Sequence, residues 1–260
     1  IEHDRGNLSP ASLEALAAAR TIDPVVHALT LGAAADAVAS ELAAHGAAVV
    51  HQVHHDLLAD FGPEAWGEAV AQAVRSLQPE CVLACGTDRG NEVMAQVAAR
   101  LDLPFVANVL AVEPGDVWSI TRVRWGGSLL EACTLSAATK LLTVSHHAFE
   151  ASESSAAGAP AMLTVELDLS LSRTIVVERV EWAAGVTLAT APLVVGGGRA
   201  VGSAEAFAPL EELAALLGGV VGCSRAVTNN GWRNHTDQVG QTSTSSRRPT
   251  PALCWYWMRR

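Results

Sequence analysis

The sequence predicts an α/β protein of two domains, and three observations carry that reading. Short apolar runs alternate with Ala- and Leu-rich stretches of helical length through the first hundred residues, as in a parallel sheet covered by helices on both faces. The 260 residues, 50% of them hydrophobic, suffice for two cores. Strand, helix and strand then begin again after an irregular stretch at Ala183–Leu188.

The elements follow in order. Ile1-Glu2-His3 reads as the end of a strand already under way, which suggests a first strand missing before it. Ser9 is a good N-cap with Pro10 at the first helical position, and a helix is predicted over Ser12 to Arg20. Val25 to Leu31 reads as a strand, Ala33 to Ala44 as a helix closed by Gly46, Ala47 to Val50 as a strand and Pro63 to Leu77 as a helix. Cys81 to Cys85 is a short apolar strand, Gly86 to Gly90 a turn, Asn91 to Leu101 a helix and Pro104 to Val109 extended. Trp118 to Trp125 alternates in period two, and Leu141 to Val144 and Met162 to Leu167 are further strands expected to extend the same sheet. Ala151 to Pro160 reads as an exposed loop and Thr174 to Trp182 as a strand. Beyond the linker come a strand at Ala191 to Val195, a helix from Ala204 to Leu217 and a strand at Gly219 to Gly222.

Composition excludes several classes of function. A net charge of −10 and a single lysine, Lys140, argue against sequence-independent nucleic-acid binding, which needs clustered cations. No uninterrupted apolar run reaches the roughly 18 residues that would suggest a membrane span, so no membrane insertion is expected. Five scattered cysteines with no zinc spacing fit a reducing cytoplasm. Cys81 and Cys85 lie in an apolar run where buried thiols are ordinary. The pairs His54-His55 and His146-His147 lack the companions a metal site requires, and neighbours on a regular element point apart. Charged residues make up 17% of the chain, a modest share that hints at apolar surface covered by a partner. Trp118, Trp125 and Trp182 are expected to pack in a core or against such a partner.

Three clusters in the second half are glycine-rich or polar where a core would not require them. Gly196-Gly197-Gly198-Arg199 follows an apolar strand, where glycines let a ligand approach backbone N–H groups and a guanidinium suits a phosphate or an electron-rich ring. Gly222-Cys223-Ser224-Arg225 offers a hydroxyl and a fixed positive charge. Gln238-Val239-Gly240-Gln241-Thr242 places amide and hydroxyl groups around a backbone that can pack closely. Each alone reads equally as a solvated turn; together they make a nucleotide cradle.

These segments, Val194 to Ala200, Leu216 to Ala226 and Val239 to Thr242, resemble in order and spacing the FAD-binding segments of electron-transfer flavoprotein alpha subunits. The likeness runs from Ile1 to Thr242, through Glu2-His3-Asp4, Leu8-Ser-Pro10, Ser12-Leu-Glu14, Val26-His-Ala-Leu29, Gly86-Thr87 and Val97-Ala-Ala-Arg-Leu101. The resemblance implies a Rossmann-like parallel-sheet domain over residues 1–183, then an incomplete α/β FAD-binding domain over 184–242. It implies FAD as cofactor, a separate beta subunit covering it, electrons arriving from acyl-CoA-type dehydrogenases of fatty-acid β-oxidation, and a quinone oxidoreductase as acceptor. By position Arg199 and Ser224 would bind the cofactor, and Arg225 would lie near the flavin ring, stabilising negative charge on its reduced form. Thr242 would reach the ring's reactive nitrogen, with Val239, Gly240 and Gln241 alongside. Such a chain is an electron carrier, with no catalytic triad of its own. The Gly86–Gly90 turn resembles an anion-binding loop, but in the family this domain of the alpha subunit is structural and AMP belongs to the beta subunit.

After Thr242 the family pattern breaks. Residues 243–260 hold four arginines, two of the seven tryptophans and the single tyrosine, an abrupt change of composition. The expectation is an aberrant tail, produced by truncation or a shifted reading frame, that lacks the family's later flavin and adenosine contacts. A rival reading follows, a scaffold subunit that pairs with beta but cannot retain FAD.

Overall fold

In the computed structural model the described residues are 1–125, 128–154, 156–178, 188, 191 and 193–239. The chain divides into two compact units, Ile1–Arg179 and Val180–Arg260.

The first unit is α/β, as its alternating sequence requires. A two-residue ladder, β1 (His3–Asp4) with β2 (Asn7–Leu8), leads into α1 (Pro10–Ile22). Ser9 takes the extended N-cap conformation, but its side chain makes no cap bond. The buried hydroxyl of Ser12 instead bonds the backbone of Glu2, accepting from N–H at 2.8 Å and donating to C=O at 2.9 Å. The strand β3 (Val26–Leu31) follows, and then the predicted helix over Ala33–Ala44 divides into a 3₁₀ segment at Ala33–Val38 and a short α2 (Ala39–Ala44). Next come β4 (Ala47–Val53), α3 (Pro63–Leu77), β5 (Cys81–Cys85) and α4 (Asp88–Leu101). The last begins three residues before the predicted Asn91, because Thr87 caps it by accepting the Gly90 N–H at 2.8 Å. Both α3 and α4 end on a residue in the left-handed conformation, Gln78 and Asp102, where glycine is more usual.

The sheet corrects the sequence reading. Strands β6 (Phe105–Glu113), β7 (Trp118–Arg124), β8 (Leu129–Leu135), β9 (Lys140–Val144) and β10 (Ala159–Met162) do not extend one parallel sheet. A parallel three-stranded sheet runs β10-β4-β3, and a mixed five-stranded sheet runs β5-β9-β6-β7-β8. In the second, β5, β9 and β6 are parallel, whereas β7 and β8 return antiparallel. Leu129–Leu135 was not expected as a strand; it pairs along its length with β7 and buries only Leu135. The strand expected at Met162–Leu167 instead ends at Met162, since Ala159–Met162 pairs with Val49–Gln52. The predicted loop over Ala151–Pro160 therefore gives way to strand at its last two residues. Thr174–Glu178 forms no regular element, and the rest of that predicted strand lies outside the described residues.

Helices α3 and α4 pack on one face around Val70, Val74, Met94 and Val97. Leu16 and Leu42 pack with Val26, Ala28 and Val50 in a second cluster. Trp118 is buried with Ile120 and Leu142, and the Lys140 ammonium lies 4.9 Å from the centre of its ring. Trp125 is 79% exposed, and Trp182 lies outside the described residues.

In the second unit, β11 (Val194–Gly197) and β12 (Val220–Cys223) pair in parallel, with α5 (Ala208–Leu216) packed on both. The strand β11 starts three residues later than predicted and takes in two glycines of the Gly-Gly-Gly run. The expected helix from Ala204 begins as a 3₁₀ turn at Glu205–Phe207, and α5 starts so that Pro209 falls in its first turn, where a missing N–H costs nothing. A short helix, α6 (Arg225–Asn229), follows β12 directly.

Candidate functional site

In the first unit, the turn that resembled an anion-binding loop is satisfied from within. The Thr87 hydroxyl, besides capping α4, donates to the Glu2 carboxylate, which sets the protein's own anion beside the helix N-terminus. A Cβ on Gly90 would stand 2.0 Å from the Cys85 carbonyl oxygen, so this glycine is needed for close packing. The histidine pairs have structural partners: His54 pairs with Asp36 at 3.0 Å, His55 accepts from Leu57 N–H at 3.1 Å, and His147 pairs with Glu14 at 3.2 Å. No group of three or more metal-ligating side chains occurs among the described residues. Cys81 and Cys85 are free thiols; burial pushes Cys81 up to about 12 and raises Cys85 as well.

The second unit brings the predicted clusters together. Parallel pairing sets Gly197 opposite Cys223, so Gly198-Arg199 and Ser224-Arg225 leave the carboxyl ends of adjacent strands side by side. Ser224 N–H donates to Gly197 C=O at 3.0 Å, and Val239 N–H donates to Cys223 C=O at 2.8 Å. Gln238 bridges to Cys223 in the parallel sense, and its buried amide oxygen accepts from the Thr228 hydroxyl at 2.8 Å. Three segments far apart in sequence thus converge at one sheet end, the place where open parallel sheets bind ligands.

What those segments offer is polar and uncommitted. Ser224 occupies the N-cap of α6, yet its hydroxyl makes no capping bond. Arg199 and Arg225 are exposed, and no salt bridge is found for either among the described residues. A Cβ on Gly198 would meet nothing within 4 Å, so the backbone there faces open space. Gly197 is different: its Cβ would stand 2.3 Å from the Phe207 ring, and this glycine serves the core. Gly222 likewise packs against Val194 and Val239. Gly240, Gln241, Thr242 and the tail at 243–260 lie outside the described residues.

The first unit matches the electron transfer flavoprotein domain over residues 1–170, and the second the electron transfer flavoprotein FAD-binding domain over residues 187–250. The alpha subunit of Bacillus subtilis is 29% identical over 242 residues, 91% of this chain and 74% of its own. A probable mitochondrial alpha subunit of Caenorhabditis elegans is 32% identical, covering 93% of this chain and 72% of its own. The alpha subunit of Mycobacterium tuberculosis is also 32% identical, over 93% and 76%. The protein FixB of Azorhizobium caulinodans is similar at 30% over 95% and 71%.

The chain belongs to the electron transfer flavoprotein alpha subunits.

Its cofactor is FAD, and the described site fits such a group. FAD carries a pyrophosphate and an electron-accepting ring system; a free hydroxyl, two uncommitted guanidinium groups and an unobstructed glycine are the donor set a pyrophosphate calls for. In this alpha subunit Arg233 has a different task, which sequence reasoning missed. It pairs with Glu211 at 2.6 Å and Asp237 at 3.0 Å and lies 5.2 Å from the centre of the Phe207 ring, tying the segment before Gln238 to α5. The i, i+4 spacing of Arg233 and Asp237 was the available signal.

Proposed function

We propose that this chain is the flavin-holding subunit of a heterodimeric electron carrier. Arg199, Ser224, Arg225, Val239, Gly240, Gln241 and Thr242 bind FAD; a beta subunit covers it; acyl-CoA-type or related dehydrogenases supply electrons; and a quinone oxidoreductase receives them, in the cytoplasm. The observation that carries this reading is the convergence of Gly198-Arg199, Ser224-Arg225 and Val239 at one sheet end. FAD supplies the redox chemistry; the protein's part is to bind and orient it. Arg199 and Ser224 anchor, and Arg225 places fixed positive charge where the reduced ring needs it. The flavin-holding domain is assigned to 184–242, following the 1–183 domain.

Apolar surface on the first unit supports a covering partner. Trp125, Leu129 and Leu130 are exposed by 79%, 54% and 69% at one end of the β7–β8 ladder, more than a freely solvated sheet end would favour. No helix among the described residues is long and apolar enough to cross a membrane.

Co-expression with a beta subunit tests the proposal. The purified pair is expected to be yellow with a flavin absorbance spectrum. A pair that stays colourless after incubation with FAD overturns the carrier reading and leaves a pairing scaffold.

A further inference from the structure

The apolar core of the second unit holds two polar side chains. Val195, Phe207, Ala214, Val221, Cys223 and Val227 make the core cluster. Among the described residues of this unit only Thr228 and Gln238 are both polar and buried, each 5% exposed. Burying a hydroxyl and an amide costs free energy that two apolar side chains of the same shape would not. What a buried polar pair supplies is direction, because a hydrogen bond fixes a distance and an angle where apolar contact fixes neither.

The pair joins two arms of the site. Thr228 lies on α6, and its hydroxyl oxygen stands 2.8 Å from Gln238 Oε1 and 3.0 Å from the Arg225 C=O. One hydroxyl proton thus faces two acceptors. The first belongs to the segment that comes back alongside β12, the second to the residue that opens α6 directly after Ser224.

That returning segment has little other than side chains to fix its register. Among the described residues it meets β12 through one bridge, Gln238 to Cys223, and one bond, from Val239 N–H to Cys223 C=O at 2.8 Å. The turn before it is a three-residue 3₁₀ segment, His235–Asp237. Register matters here, because a Cβ on Gly222 would stand 2.9 Å from Val239 Cγ1: Val239 packs over that glycine. A slip of one residue would turn Val239 to the opposite side. The bond from Thr228 to Gln238 resists the slip.

We propose that Thr228 is a positioning residue for FAD. Through Gln238 it sets the register in which Val239 meets β12, and through the Arg225 carbonyl it sets the first turn of α6, so that Ser224, Arg225 and Val239 keep one spacing. This rests on the reading of those three residues as flavin contacts. Thr228 is buried and acts only through the two groups it bonds. An edge already spaced for the cofactor gives up less freedom on binding it.

The chain co-expressed with a beta subunit provides the test, in three variants. Thr228→Val keeps the shape and removes the hydroxyl, Thr228→Ser keeps the hydroxyl, and Thr228→Val with Gln238→Leu removes both polar groups. FAD affinity is measured by titration, the visible circular dichroism of the bound flavin at saturation, and the melting temperature of the flavin-free heterodimer. Thr228→Val is expected to weaken FAD binding by about tenfold or more and to change the dichroic bands, with Thr228→Ser within about threefold of the unaltered chain. The double variant is expected to melt higher than Thr228→Val, since it leaves no buried amide oxygen facing a methyl group, but to recover neither affinity nor bands. A double variant that recovers all three overturns the proposal, as does a Thr228→Val chain that forms no folded heterodimer, for the pair would then serve the fold alone. Unaltered affinity in Thr228→Val beside weakened affinity in Arg225→Ala also overturns it and leaves the flavin contacts standing. Unchanged affinity in both Arg225→Ala and Ser224→Ala overturns those contacts and this proposal together.

Discussion

Ser224 donates its backbone N–H to the carbonyl of Gly197 at 3.0 Å, which fixes the residue that follows one strand against the residue that ends the other. The bond explains how residues about 25 positions apart come to share one ligand-facing edge. It also separates groups that build the edge from groups that stand free on it.

The free groups should answer to cofactor and leave stability alone. Arg225→Ala and Arg199→Ala in the flavin-free heterodimer are expected to change the unfolding free energy by less than about 0.5 kcal/mol, as exposed side chains do that form no ion pair among the described residues. Each should weaken FAD retention roughly ten- to a hundredfold, the size of a lost charge-assisted contact. Equilibrium dialysis of flavin and denaturant melts check both. Unchanged retention in both variants removes these arginines from the site.

Arg233→Ala should behave in the opposite way. Its ion pairs with Glu211 and Asp237 and its place over Phe207 organise the fold of the second unit, so stability should drop by about 1–3 kcal/mol. Arg233→Lys should restore little, because a single ammonium cannot serve two carboxylates and the ring face as a planar guanidinium does.

Gly197→Ala is predicted to destabilise by about 1–3 kcal/mol, since its Cβ would lie 2.3 Å from a buried phenyl carbon. Gly198→Ala, with nothing within 4 Å, should be tolerated by the fold and should disturb only ligand approach. Thermal melts and flavin content of the two variants, measured together, distinguish a packing glycine from a site glycine.

Stability should fall on both sides of neutrality. On the acid side, burial and then the neighbouring His27 push His51 below its ordinary value. The unfolded chain therefore binds a proton more readily, and stability is lost as pH drops below about 6.5 towards the depressed folded value. His51→Gln should flatten that limb of a melting-temperature profile. On the alkaline side, burial lifts the Cys81 thiol from 9.0 to about 12, so the unfolded thiol ionises first and stability is lost as pH rises through that window. Cys81→Ala should reduce the alkaline slope but not abolish it, because Cys85 and Cys223 are raised in the same direction.

Much of the first unit was legible because its signals are local. Pro63 opens α3 and the apolar spacing runs unbroken to Leu77, so both ends of that helix can be read directly. Cys81–Cys85 is equally plain, an apolar run ended by glycine. Leu129–Leu135 was not legible: only Leu135 is buried, and what makes the segment a strand is the ladder it forms with Trp118–Arg124. The glycine run misled by two residues at the strand's end because Gly196 and Gly197, poor strand formers alone, are held in the ladder opposite Gly222 and Cys223.

The sequence by itself determined the α/β class, the boundaries of the strongly periodic elements, the family and the polar clusters at Arg199 and at Ser224–Arg225. Those depend on side-chain period and residue chemistry, which are written in neighbouring positions. Tertiary structure alone decided that the longer strands of the first unit divide between a three-stranded and a five-stranded sheet, that Gly197 packs while a Cβ on Gly198 would meet nothing within 4 Å, and that Arg233 is committed while Arg225 forms no ion pair among the described residues. Each of these depends on which distant backbone lies alongside, and strand partners are chosen by the packing of the whole unit.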